Sequence, residues 1–357
     1  MDLNDVRKRI ERSEEQLSPH AVRSTNSRGR KVPEEPSAVR SEFQRDRDRV
    51  IHTNSFRRLK HKSQVFVAPL GDHYVTRLTH TVEVSQVART IARALNLNED
   101  LVEATALAHD LGHTPFGHIG ESVLNERLLG GFHHSRHSVR IVEAIEKEGR
   151  GLNLTQEVIE GIRHHSKPEG EFLSQAAVSH MTLEAQIVRI SDALAYLSHD
   201  IGDAIRSGFF SLHDLPGEAV EALGERHSQR VDTLVSDVVR SSWDCTGEAA
   251  PGDGAPWIRM SPEIGRITTL LRNFMFNNFY YHISSSREGR RAADIVGVLF
   301  DHYMAHPEKI PGQMRQMSGS TEQAAADYVC GMTDNYALMR AEEIRPGLSE
   351  GVFQGHI

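Results

Sequence analysis

LVEATALAHDLGHTPFGHIGE, residues 101–121, decides how the chain is read. Val102, Ala106, His109 and His113 recur at spacings of three and four, which places them on one stripe of a helix, with Asp110 beside His109. An adjacent histidine and aspartate set a nitrogen and an oxygen donor roughly 100° apart about the helix axis, close enough to meet on one ion. Pro115 ends the helix. From Glu42 onward the same periodicity continues and no period-two run bounded by turns stands out, so the expected fold class is all-α.

The spacing predicts helices over 42–60, 76–96, 99–112, 118–129, 135–148, 155–165 and 181–206. Further helices are expected over 262–283, 288–305 and 320–341, after a flexible insertion at Gly247–Pro256. The expected organisation is a mobile polar N-terminal arm (1–41), a helical core (42–210), a C-terminal helical lobe (211–345) and a tail (346–357).

Composition narrows the function. A formal charge of −8 argues against nonspecific nucleic-acid binding as the main task, which needs a basic surface to displace counterions. There are 21 histidines, many between His52 and His199 among acidic residues, a reason to look for metal or phosphate chemistry. No long apolar run suggests a membrane span or a signal peptide, so the expectation is a cytoplasmic protein without membrane contact. Cys245 and Cys330 form neither a disulfide framework nor a Cys-x-x-Cys pair.

Two further stripes carry polar residues inward. His80 shares one with Val84, Val87 and Ile91, and Asp192 shares another with Val188 and Tyr196. Alone, His80 fits a core histidine satisfied by hydrogen bonds better than a ligand. Together with His109, Asp110 and Asp192 it completes a donor set for one divalent ion. Mn2+ or Mg2+ are favoured by the hard oxygens, and Fe2+, Co2+, Ni2+ and Zn2+ are compatible.

HDLGHTPFGHIGE (109–121) closely resembles the HD-domain deoxynucleoside triphosphate triphosphohydrolases, the dGTPase-like family. The resemblance continues through residues 43–66, 71–89, GGFHHSRHSVRIV (130–142) and SDALAYLSHD (191–200), and more loosely through DYVCGMTDNYAL (327–338). It implies an HD-domain helical bundle that cleaves a dNTP at the α-phosphorus, with His80, His109, Asp110 and Asp192 as metal ligands. It further implies Gln64 near the sugar, Arg77, His113, His118 and His134 around the triphosphate, and Tyr196 with Asp200 reading the sugar. Ala193 stands where many relatives carry a second acidic residue.

Within this resemblance His118 is the candidate acid for the leaving 5′-oxygen, Glu121 orients it or the attacking water, and His113 completes the catalytic group. Homo-oligomers with an effector nucleotide between subunits are also implied, with Arg57 or Arg58 as candidate contacts. His164–His165 read as a helix C-terminus before Pro168, or as ligands of a second metal. Two other functions stay in view: a phosphohydrolase of nucleoside monophosphates or cyclic dinucleotides, and a nucleotide-sensing or nucleic-acid-binding protein with a vestigial site. An intact ligand set favours an enzyme.

Overall fold

Side-chain caps mark where the helices begin. Asn98 accepts from the Asp100 and Leu101 amides at the head of Glu99–Ala108, and Thr182 accepts from the Ala185 amide at the head of Leu183–Arg206. Ser320 and Thr333 cap Thr321–Cys330 and Asp334–Ile344 in the same way. Each cap satisfies an amide that has no intrahelical partner and contributes about 1 kcal/mol. The computed structural model describes residues 3–65, 75–166, 174–248 and 254–350. Among these residues the chain is all-α, and only the isolated pairs Arg30 with Thr155 and Ser63 with Thr76 take bridge geometry. No helix among them is long and apolar enough to cross a membrane.

The chain forms two units that interleave along the sequence. The first comprises Met1–Ile51, Thr81–His109 and Asn153–Met275; the second comprises His52–His80, Asp110–Leu152 and Phe276–Ile357. This differs from the contiguous core and lobe expected from composition, because helices group by matching apolar faces rather than by chain order.

In the first unit Glu99–Ala108 packs on Glu42–Ile51, and Leu183–Arg206 lies against both Gln156–His164 and Glu99–Ala108. Phe43, Val50, Val102, Ile162, Ile187 and Leu194 are buried there. The N-terminal segment departs from the expected mobile arm. Asn4–Glu14 is a helix, and Glu14 accepts from the Ser24 amide at 2.6 Å and from its hydroxyl at 2.7 Å. Arg30 is buried against Asp46 and Glu42. Polar composition suggests a solvated arm, but these charges find partners elsewhere in the same unit.

Glu184, also in this unit, accepts from the Val22 amide at 2.9 Å and the Asn98 amide at 3.3 Å. Burial pushes its carboxyl up to about 7, with Glu14 adding to the rise against those amides. Between the ordinary carboxylate range and about 7, the folded chain therefore holds a proton that the unfolded chain releases. Its contribution to stability falls as pH rises through that window, by roughly 3 kcal/mol in all. Unfolding midpoints measured from pH 5 to pH 8 should decline less steeply for Glu184→Gln, which keeps the acceptor oxygen and cannot ionise. Parallel curves for the two proteins would refute this.

In the second unit Arg287–Ala305 packs against His118–Arg127, Thr321–Cys330 and Asp334–Ile344. Phe116, Leu124, Phe132, Leu299 and Tyr303 lie in one buried cluster. At roughly 1.5–3 kcal/mol for each large apolar side chain removed from water, this cluster anchors the turn that contains Phe116.

Several expected helices are interrupted. The 42–60 stretch divides at Thr53, which caps Asn54–Arg58, and the 320–341 stretch divides where Thr333 starts a new helix. The 262–283 stretch passes through a π-type turn at Phe276–Tyr280, and the 135–148 stretch through another at Ile141–Ile145. The 99–112 helix stops at Ala108, with His109 still in helical backbone geometry. Of the flexible insertion expected at Gly247–Pro256, residues 249–253 lie outside the described residues, as do residues 351–357 of the expected tail.

Candidate active site

Two glycines shape the motif turn in the second unit. A Cβ on Gly112 would lie 2.2 Å from the Ser138 amide nitrogen, so only glycine lets this turn touch the His134–Arg140 helix. The Gly112 amide donates to Ser138 Oγ at 2.8 Å. Gly117, with φ +57°, is the N-cap of His118–Arg127, and a Cβ there would sit 2.8 Å from an Arg77 guanidinium nitrogen. The turn thus presses Arg77, which is 1% exposed, against the motif.

Arg77 donates from its guanidinium to Asp110 Oδ2 at 2.8 Å. His80 Nε2 lies 3.8 Å from that same oxygen, and His113 Nε2 lies 3.2 Å from Asp110 Oδ1. Burial pushes the His113 imidazole well below its usual range, and Arg77 and His134 push it further than Asp110 restores. His113 is therefore a neutral ring. Gln64 Oε1 and Arg77 Nε are buried without a hydrogen-bond partner among the described residues. Buried polar atoms of this kind are costly to leave unmatched and suit a polar ligand.

Glu121 is the hub of the second unit's polar cluster. It accepts from His118 Nδ1 at 2.8 Å, from His134 Nδ1 at 2.8 Å and from the His134 amide at 2.8 Å. Burial alone would raise the carboxyl, but His134 and His118 outweigh it and hold Glu121 well below the usual carboxylate range. His134 stacks on His113 at 4.0 Å between ring centroids, while the His118 side chain is 74% exposed. The sequence pairs Glu121 with His118 three residues away and names His134 through the resemblance, but the bond between Glu121 and His134 is not legible there, because no periodicity relates positions 13 apart in chain across an intervening loop. His113, His118, Glu121 and His134 each bring a ligand-type atom within 4.8 Å of the others. The His118 and His134 imidazoles both donate from Nδ1 to Glu121, which joins the three side chains in one hydrogen-bonded network.

In the first unit His109 Nδ1 donates to the Ala106 carbonyl at 2.6 Å. A carbonyl only accepts, so this bond fixes the tautomer that keeps the lone pair on Nε2, the state a metal ligand needs. That Nε2 lies 3.9 Å from Asp192 Oδ1. His165 repeats the device, donating from Nδ1 to the Ile162 carbonyl at 2.7 Å, and its ring meets that of His109 edge-on at 4.9 Å. The stripe makes His109 legible in sequence; His165 reads there as a helix C-terminus or a second-metal ligand, and only folding brings Gln156–His164 to the His109 ring. Tyr196 and Asp200 follow Asp192 at one-turn intervals on Leu183–Arg206. Burial pushes the Tyr196 hydroxyl up to about 12 despite Arg272, and Asp200 Oδ1 lies 2.8 Å from His199 Nδ1.

The donor chemistry fits a divalent cation. Each unit holds an imidazole beside a carboxylate, His80 with Asp110 in the second and His109 with Asp192 in the first. Buried carboxylates of this kind need a cation or strong donors as partners.

Models of two families match the chain: the HD domain over residues 77–197 and the phosphohydrolase-associated domain over residues 258–343. A deoxyguanosinetriphosphate triphosphohydrolase-like protein from Caldanaerobacter subterraneus subsp. tengcongensis is 48% identical over 345 residues, covering 94% of this chain and 95% of its own. Another protein of that name, from Desulfatibacillum aliphaticivorans, is 48% identical over 349 residues, covering 95% of this chain and 97% of its own. A third, from Clostridium perfringens, is 46% identical over 342 residues, covering 95% and 97%. With such identity along nearly the whole length and both domain models in place, the chain belongs to the deoxyguanosinetriphosphate triphosphohydrolase-like family of HD-domain phosphohydrolases.

Proposed function

We propose that this protein hydrolyses deoxynucleoside triphosphates, dGTP among them, to the deoxynucleoside and inorganic triphosphate. The observation that carries this reading is the Glu121 carboxylate shared by the His118 and His134 imidazoles, with Arg77 buried against the same motif turn at Gly117. One divalent ion, Mn2+ or Mg2+, would be held by His80, His109, Asp110 and Asp192 and would supply Lewis-acid activation of water and phosphate.

The chain's own groups do the rest. Arg77 is immobilised by Asp110 and presents a planar guanidinium to phosphate oxygens, which gather negative charge as the bond to the leaving group breaks. Water adds to the α-phosphorus, releasing one proton to solvent, and the bond from phosphorus to the 5′-oxygen breaks. That alkoxide is strongly basic and takes a proton from the His118 imidazolium, which Glu121 stabilises through Nδ1. His134, held by the same carboxylate, and the neutral His113 stacked on it face the triphosphate in this reading. Gln64 accepts from or donates to the sugar, Tyr196 lies under the ring where a 2′-hydroxyl would crowd it, and Asp200 accepts from the 3′-hydroxyl. Homo-oligomers with an effector nucleotide between subunits, and a cytoplasmic location, belong to the same reading.

The test is incubation of metal-stripped protein with all four dNTPs, with and without Mn2+, resolving products by ion exchange. Deoxynucleoside plus triphosphate, formed only with metal, is the expected result. No turnover of any dNTP, with orthophosphate released from a monophosphate or a cyclic dinucleotide opened, would replace this reading by the monophosphate or cyclic-dinucleotide enzyme.

A further inference from the structure

We infer that Asp334 is a positioning residue, tying together two segments of the second unit, one next to Gln64 and one leading into His118. The roles of those two residues rest on the function proposed above; the tie itself is geometric. Asp334 opens the Asp334–Ile344 helix and is 4% exposed. Its Oδ1 accepts from the Phe116 amide at 2.9 Å. Its Oδ2 accepts from the Ser63 amide at 2.8 Å and also from the Ser63 hydroxyl. One carboxylate thus satisfies donors at residue 63, next to Gln64, and at residue 116, two before His118.

The motif turn needs such a hold. Phe116 has φ +59° and Gly117 φ +57°, two consecutive residues in the left-handed region. For a phenylalanine that conformation is strained and persists only when its surroundings impose it. Within the turn, Thr114 Oγ1 donates to the Gly117 carbonyl at 2.7 Å, while the Phe116 amide turns outward to Asp334. A second tie runs parallel: Lys62 Nζ, fully buried, donates to the His113 carbonyl and, at 2.8 Å, to the Cys330 carbonyl. Residues 330–334, where one helix ends and the next begins, therefore tie to the motif turn at two points, through Lys62 to His113 and through Asp334 to Phe116. Because Gly117 caps the helix that His118 begins, the direction of the His118 side chain follows from the Phe116 conformation. Release of the Phe116 amide lets the turn relax and moves His118 relative to Glu121.

The test compares Asp334→Asn with the unaltered protein. The amide side chain presents an NH2 group to one of its two partners, so either Phe116 or Ser63 loses its acceptor. We expect unchanged metal content, kcat lower by about ten- to a hundredfold on dNTPs, and amide exchange in residues 114–121 at least about tenfold faster. A general loss of fold would instead speed exchange throughout the second unit. Wild-type kcat together with wild-type exchange at 114–121 would overturn the inference. If Asp334→Asn does not fold, Ser63→Ala removes one of the three donors, and wild-type exchange and kcat in that variant overturn it equally. If the unaltered protein hydrolyses no dNTP, the proposed function fails on its own, and exchange at 114–121 alone decides the positioning role.

Discussion

Asp110→Asn protein, loaded with Mn2+ and desalted, will retain less than about a tenth of the metal held by the unaltered chain. Its turnover will fall about a thousandfold or more. Asp110 has three side chains of the second unit gathered on its carboxylate: Arg77 at 2.8 Å, His113 at 3.2 Å and His80 at 3.8 Å. Asparagine keeps the size and one acceptor oxygen for Arg77 but removes the negative charge that a divalent ion requires. Alanine would be a poorer probe. It would leave the Arg77 guanidinium, 1% exposed, with neither a counter-charge nor an acceptor oxygen, at a cost of about 3–5 kcal/mol, so loss of activity would be confounded with loss of fold. Metal content by mass spectrometry and steady-state rates on the same preparation give the result. Full metal occupancy with normal turnover in Asp110→Asn would remove Asp110 from the ligand set.

Glu121→Gln should separate metal from chemistry. The carboxylate is placed by bonds to His118 and His134 and is not among the proposed ligands, so the variant should keep its metal. Its kcat should fall about a hundredfold or more, the scale of a positioned acid or base. The physical reason is acceptor count. The carboxylate accepts two Nδ1 protons and the His134 amide at once, whereas a glutamine oxygen can take over only part of this set while its NH2 group opposes the remaining donors. Loss of metal along with rate would instead place Glu121 at the ion. Unchanged kcat would show that neither imidazole needs it.

The departures from the expected helices share one cause. Ala108 ends its helix four residues early because Gly112 must approach Ser138 to 2.2 Å of a would-be Cβ, a demand made by another helix. Thr53 and Thr333 start new helices through their hydroxyls, a choice that competes with continuing the old one and is settled by what each new segment packs against. The N-terminal segment reads as solvated because its charges are visible in sequence while their partners, Asp46 for Arg30 and Asn98 for Glu14, are not.

Local physics acting on the sequence alone therefore determined the all-helical class, since apolar spacing of three and four is a property of neighbouring residues. It also set the register of His80, His109 and Asp192 on apolar stripes, and the adjacency of His109 and Asp110. Tertiary structure decided what depends on residues far apart in the chain. Glu121 is shared with His134, His165 stands beside His109, Lys62 is spent on two carbonyls, and Asp334 holds the Phe116 amide. Such hydrogen bonds are specified by distances within a few tenths of an ångström, which no periodicity encodes and only the packed fold supplies.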